Sequence, residues 1–88
     1  MKYKYDTNYI INSIEWWMEH EDIPIADVYE MTHKYTDRFI EQIGRGLNRR
    51  INDRWRQYMK EIIIPYIEHQ YKQWILDTKL RELDSDFQ

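Results

Sequence analysis

The sequence contains no cysteine, and only two glycines, two prolines, one alanine and one valine. Without cysteine the chain has no disulfide framework and no thiolate metal site. Long apolar runs are also missing, because the longest consists of Ile62, Ile63 and Ile64, far short of the roughly 20 residues that span a bilayer. No apolar run near the N-terminus has the length of a signal peptide core. We therefore expect a soluble, cytoplasmic protein that has no membrane contact.

The residues that are abundant point to the origin of the gene. Tyrosine occurs eight times and isoleucine is frequent, and both have AT-rich codons, whereas the scarce Ala, Gly and Pro have GC-rich ones. A short, aromatic-rich product of an AT-rich gene is typical of phages and mobile elements, so we expect a phage protein that acts in the host cytoplasm. Its 88 residues are expected to form a single helical domain, residues 1–88, of marginal stability.

Apolar residues recur at spacings of three and four along most of the chain, which predicts an all-α fold. A first helix is expected from about Asn8 to Glu19, capped by Asp6 or Thr7. A second should span Ile25 to Ile43, with Gly44 and Gly46 forming its C-cap and a turn. A third should start near Leu47 and bend near Pro65, which removes one backbone hydrogen bond. The sequence thus predicts a small bundle of three to four helices with a long, bent third helix.

A basic segment, residues 44–60, interrupts an otherwise acidic chain. It holds six basic residues against one acid, Asp53, which leaves a net charge of +5. On a continuous third helix, an apolar face is predicted for Leu47, Ile51, Trp55, Tyr58, Ile62 and Tyr66. Four basic residues would then lie on the opposite face and two beside the apolar edge; in chain order the six are Arg45, Arg49, Arg50, Arg54, Arg56 and Lys60.

These six residues are the predicted binding site for a negatively charged partner. Arginine forks match phosphate oxygens and stack on bases, and two aromatic residues lie within the segment. The first hypothesis is a regulatory protein or inhibitor whose arginine-rich helix contacts RNA or a host protein that handles nucleic acid. The alternative is a protein–protein interaction module, such as a homodimer, whose arginines pair with the acids of the chain itself.

A third hypothesis comes from residues 28–43, V-Y-E-M-T-H-K-Y-T-D-R-F-I-E-Q-I, which resemble a helix-turn-helix. The resemblance implies a small DNA-binding regulator with its turn at residues 31–34 and its recognition helix at residues 36–43. It departs from the motif at His33, where glycine is usual in the turn. Asp37 and Glu41 would also place acids on the recognition helix, where phosphates would repel them.

Two neighbouring tryptophans, Trp16 and Trp17, are the predicted partner interface. They lie about 100° apart on a helix, so both cannot face the core, and the outer one is expected in a contact surface. The three histidines lack the spacing of a helical metal site. No nucleophile motif, phosphate loop or carboxylate pair is recognisable. We expect no enzymatic activity, no metal or cofactor and no small-molecule substrate.

Overall fold

The computed structural model describes residues 3–86, and the side chains of residues 3–81. Within these residues there is no strand, which confirms the all-α fold. The last three helical segments follow one another without a break, so the described chain consists of four helical rods. The segments are α1 (Thr7–His20), α2 (Ile25–Lys34), α3 (Thr36–Gly46), α4 (Asp53–Tyr58), a π-helical segment (Met59–Ile63) and α5 (Ile64–Asp86).

Helix α1 forms as the sequence predicts. The carboxylate of Asp6 accepts a hydrogen bond from the Tyr9 N–H at 3.1 Å, which satisfies a backbone donor of the first turn. Ile10 and Ile14 are buried one turn apart and fix the inward face. The helix ends at His20, before a turn in which Asp22 has a positive φ of 55°. Pro24 then precedes α2 in an extended conformation, as expected for a residue at a helix start.

The predicted second helix is two helices. Tyr35 leaves the helical region, with φ −130° and ψ 48°, and separates α2 from α3. The hydroxyl of Thr36 donates to the Thr32 carbonyl at 2.7 Å, a local bond that competes with the regular helical ladder. The break turns α3 so that its inward face becomes Phe39, Ile40 and Ile43, while Tyr35 itself, expected on that face, is 55 % exposed.

The two glycines do not form the turn that the sequence predicted. Both lie inside α3, neither has a positive φ, and the left-handed residue is Asn48, with φ 58°. The Arg49 N–H donates to the Gly44 carbonyl at 2.7 Å and the Asn48 N–H to the Arg45 carbonyl at 3.1 Å. This is a Schellman ending with asparagine at its left-handed position.

The third helix therefore starts later than predicted. Residues 47–52 are not helical, and α4 begins at Asp53, where Asn52 accepts a hydrogen bond from the Trp55 N–H at 2.9 Å. Leu47 and Ile51, which periodicity placed on this helix, belong to the connecting loop. The capping asparagine is a local signal that the stronger apolar spacing masked.

A π-helical segment precedes Pro65. Pro65 has no N–H to donate, and in the turn before it the Ile64 N–H reaches back five residues to the Met59 carbonyl. The extra residue per turn shifts the inward face. Ile63 and Ile67 are buried, whereas Ile62, predicted to be inward, is 38 % exposed. The predicted bend near Pro65 stays a prediction.

The core lies where α1, α2 and α3 meet the last rod. Trp55 is at its centre, fully buried, and its indole N–H donates to the Ile40 carbonyl at 3.0 Å. The Tyr58 hydroxyl donates to Thr7 Oγ1 at 2.8 Å and ties this rod to the start of α1. The buried apolar residues are Ile10, Ile14, Val28, Phe39, Ile40, Ile43, Trp55, Tyr58, Met59, Ile63 and Ile67.

Candidate functional site

The four basic residues predicted to share one helical face, Arg45, Arg49, Arg56 and Lys60, do not lie on one continuous helix. The stripe required a continuous helix from residue 47, and the loop at residues 47–52 breaks it. Arg45 is in the last turn of α3, while Arg49 and Arg50 are in the loop. Arg54 and Arg56 belong to α4, and Lys60 to the π-helical segment. The prediction of a single basic stripe was therefore wrong, although the six residues remain a candidate contact set.

Two of these arginines converge on one acid of α3. Arg56 Nη2 lies 3.4 Å from Glu41 Oε1, and Arg45 Nη2 lies 3.8 Å from Glu41 Oε2. The Arg56 and Glu41 side chains are both about one-third exposed, whereas the Arg45 side chain is 76 % exposed. Ion pairs this accessible contribute about 0–1 kcal/mol each, so their main effect is to orient Arg56 inward.

Arg49 packs within the molecule. Its guanidinium lies 5.7 Å from the centre of the Tyr5 ring, and its Nε is buried. Tyr5 contacts Trp55 edge to face, with ring centres 5.2 Å apart. Trp55 and Tyr58, the aromatics between the basic residues, are both buried. Along the basic segment these two rings therefore cannot serve as stacking platforms for bases.

The exposed basic residues are consequently a different set from the predicted stripe. The side chains of Arg50, Arg54 and Lys60 are exposed and form no ion pair or hydrogen bond with any residue that the structure describes. Arg45 is also exposed, and within the described part of the chain its side chain has only the 3.8 Å contact with Glu41. A single exposed stripe would predict that replacing Arg49 and Arg56 together by glutamate leaves the fold intact. The contacts with Tyr5 and Glu41 now predict a loss of stability instead. Arg50 and Arg54 are the appropriate pair for testing an electrostatic contact.

The two tryptophans differ in exposure in the predicted direction. Trp16 is 60 % exposed, and its ring stacks on His20 with centres 3.8 Å apart. Trp17 is half-buried and packs against the core. Neither side chain is fully buried, so the structure shows only that Trp17 is more buried than Trp16.

Both tryptophans border a groove between α1 and the C-terminal end of α3, called here the α1–α3 groove. Its volume is about 360 Å³, and every lining side chain is uncharged. The sequence predicted the two tryptophans as a contact surface, but it did not predict the opposite wall of the groove. That wall contains Leu47, and the turn that brings Leu47 opposite Trp17 depends on Asn48. The lining residues are Ser13, Ile14, Trp16, Trp17, Gln42, Ile43, Gly46 and Leu47.

A smaller cavity of about 260 Å³ lies between α1, α2 and α5, where Met18, Ile25 and Trp74 meet. Tyr66 lies on its wall and donates a hydrogen bond to Glu15 at 3.1 Å. The cavity is a seam between packed helices, and no exposed basic residue lines it. It offers fewer features for recognition than the α1–α3 groove.

Among the described residues, Lys34 and three tyrosines have raised pKa values: a hydrogen bond to Glu30 raises the pKa of Lys34, and the three tyrosines hold their phenol protons more tightly. A hydrogen bond to Glu61 at 2.6 Å raises the pKa of Tyr3 to about 12. Burial raises the pKa of Tyr58, and burial followed by the Glu15 contact raises the pKa of Tyr66. Each tyrosine shift favours the neutral phenol, which is the opposite of activation as a base or nucleophile.

Among the described residues, no three His, Asp or Glu side chains are grouped as metal ligands. None of the described helices has the length and apolar character needed to cross a membrane.

The helix-turn-helix resemblance predicted a turn at residues 31–34. In the structure these four residues form the last turn of α2, and the interruption is the single residue Tyr35. Thr32, within the predicted turn, is buried and its hydroxyl donates to the Tyr29 carbonyl at 2.7 Å. The predicted position of the turn was therefore wrong.

Comparisons with known proteins add no identification. No family model matches the chain, and no curated protein or solved structure is significantly similar to it. The function must therefore be argued from the surface of this molecule.

Proposed function

We propose that this chain is a non-catalytic protein-binding module that regulates a partner through the α1–α3 groove. The observation that carries the proposal is the groove itself, which combines an exposed Trp16, a half-buried Trp17 and an apolar floor. Tryptophan at the edge of a water-accessible apolar depression is typical of the anchors that dominate protein interfaces.

The charge near the groove supports a partner segment that is apolar with acidic flanks. Gly46 and Leu47 line the groove, and Arg45 precedes them with a mostly exposed side chain. Arg50 follows three residues after Leu47 and has no partner among the described residues. Arginine beside a tryptophan-lined groove favours a carboxylate-bearing segment, because its two parallel N–H groups can donate to both carboxylate oxygens.

RNA, the other target named by the first hypothesis, is less well supported. Trp55 and Tyr58 are buried, and Arg49 and Arg56 are engaged within the chain. Single-stranded RNA recognition relies on aromatic side chains that stack on bases, and the basic segment exposes none of its own. Arg50, Arg54 and Lys60 could still attract phosphates, so RNA is kept as an outcome of the test.

The test is a pull-down from host extract, with and without ribonuclease, followed by binding measurements with the purified prey. The bait variants are Trp16→Ala, the double change Arg50→Glu with Arg54→Glu, and the control Tyr35→Ala. Trp16 and Tyr35 are exposed to a similar extent, 60 % and 55 %, on different helices. Circular dichroism should show an unchanged fold for all of them.

We expect the pull-down to recover a protein partner that is still recovered after ribonuclease treatment. The Trp16→Ala bait should no longer recover it, whereas the Tyr35→Ala bait should. The arginine double variant should weaken binding and reduce its dependence on salt. A prey that disappears with ribonuclease and depends only on Arg50 and Arg54 would instead assign the surface to RNA. Unchanged binding by Trp16→Ala would contradict a role of the groove.

A further inference from the structure

Helix α5 is apolar on two opposite faces. One face packs on the body: Ile67 is 2 % exposed, and Tyr71 stacks on Tyr29 with ring centres 4.0 Å apart. Leu76 and Leu80 lie about 180° and 220° around the helix from Ile67, counted at 3.6 residues per turn. They are 54 % and 59 % exposed. A helix that is apolar on both sides requires an apolar neighbour on each side, and the body supplies only one.

The outer face follows a heptad spacing. Gln73, Leu76 and Leu80 are separated by three and four residues, and Leu83 continues the series in the sequence. This places Gln73 and Leu80 at a positions and Leu76 at a d position, where two helices of a coiled coil meet. Gln73 is exposed like the two leucines. A single polar residue at an a position can specify the register of the two helices at a cost in stability.

The charged residues on either side of this outer face of α5 indicate what can bind to it. Lys72 and Lys79 occupy g positions, and Asp77 occupies the e position between them, with Asp84 at the next e position in the sequence. In a parallel pair each g residue faces the e residue of the following heptad of its partner. Two copies of this chain therefore place Lys72 opposite Asp77, twice by symmetry. An antiparallel pair would place lysine beside lysine and aspartate beside aspartate.

We propose that the outer face of α5 is a homodimer interface, in which two copies of the chain form a short, parallel, in-register coiled coil. Lys72 forms an exposed ion pair with Glu68 in the monomer, at 3.2 Å, and exchanges it for the partner's aspartate at little cost. The interface lies on a different element from the α1–α3 groove, so the dimer and the groove can be tested separately. A parallel dimer carries two such grooves, which would bind a two-fold symmetric partner with increased avidity.

The first experiment is sedimentation velocity on the full chain over a wide concentration range. We expect a reversible dimer at submillimolar concentration, and a monomer at every concentration when Leu76 and Leu80 are both replaced by glutamine. Tyr9→Gln is the matched control, since Tyr9 is also 55 % exposed and lies on α1. The glutamine variant should keep its melting behaviour at low concentration. The proposal is overturned if the wild-type chain remains monomeric. It is also overturned if the variant with glutamine at both Leu76 and Leu80 still forms the dimer.

The second experiment decides the orientation. Asp77→Lys alone and Lys72→Asp alone should each weaken the dimer about tenfold, because two facing pairs become repulsive, and the two changes combined should restore it. Since the chain has no cysteine, Gln73→Cys should form an interchain disulfide on mild oxidation. Asp37→Cys, on exposed α3 surface, should not. Failure of both the charge restoration and the Gln73→Cys cross-link would overturn the parallel arrangement.

Discussion

Replacing Gly44 with alanine tests how closely α3 and α4 approach. Gly44 is buried in the last turns of α3, and a Cβ at this position would lie 2.7 Å from Trp55 Nε1 and would also overlap Ile51 Cδ1. The indole cannot move away freely, because its N–H donates to the Ile40 carbonyl at 3.0 Å. The glycine is therefore required by packing and not by backbone conformation.

Two opposing effects decide the sign of the change. Alanine gains about 1 kcal/mol over glycine in a helix interior. Overpacking a tight core costs about 1–3 kcal/mol, and loss of the Trp55 hydrogen bond costs about 1 kcal/mol more. We therefore expect Gly44→Ala to lower the free energy of unfolding by about 1–3 kcal/mol. For a domain of this size that corresponds to a fall in Tm of about 4–24 °C.

Gly46→Ala is the matched control. It lies two residues further along the same helix, its φ is not positive, and an added Cβ would meet no atom within 4 Å. The higher helix propensity of alanine is then the only effect, so we expect this variant to be more stable than the wild type by up to about 1 kcal/mol. Both variants are measured by urea denaturation, followed by circular dichroism.

If Gly44→Ala were stabilised as much as Gly46→Ala, α3 and Trp55 would be further apart than described, which would contradict the close contact. A double change resolves the contact itself. Trp55→Phe removes the indole nitrogen that faces Gly44, so Gly44→Ala should cost less in that background. The two changes are expected to couple by about 1 kcal/mol.

Two further predictions concern pH and the helix ending. Burial raises the pKa of Tyr58 above the usual value of a phenol, about 10, so the unfolded chain loses this proton first as the pH rises. The free energy of unfolding should therefore fall above about pH 10, and less steeply in Tyr58→Phe; equal slopes would contradict the assignment. Asn48 has φ 58°, so Asn48→Ala should cost about 1–2 kcal/mol, whereas Asn48→Gly should fold with nearly unchanged stability in thermal melts.

The sequence by itself determined the helical class and the parts of the fold that depend on neighbouring residues. Spacings of three and four placed the inward face of α1, and Asp6 and Pro24 marked the starts of α1 and α2. Each of these signals acts within about one turn of helix, through a cap, a fixed φ or an amphipathic face. The exposure of Trp16 relative to Trp17 followed from the same helical geometry.

The tertiary structure decided where the periodicity stops. Three interruptions change which residues face inward: the break at Tyr35, the loop after Asn48 and the π-helical segment before Pro65. At the π-helical segment, Ile63 is buried in place of Ile62. Long-range packing selects these interruptions, because burying Trp55 against Gly44 outweighs a more regular helix.

The same tertiary contacts decided which charges remain at the surface. Glu41 and Arg56 are separated in the sequence by the end of α3 and the following loop, and Tyr5 and Arg49 are separated by still more residues. Helical periodicity relates only residues a few positions apart, so no sequence pattern could show that these two arginines are engaged within the chain. The fold alone leaves Arg50, Arg54 and Lys60 exposed, and brings Leu47 opposite Trp17 to form the groove.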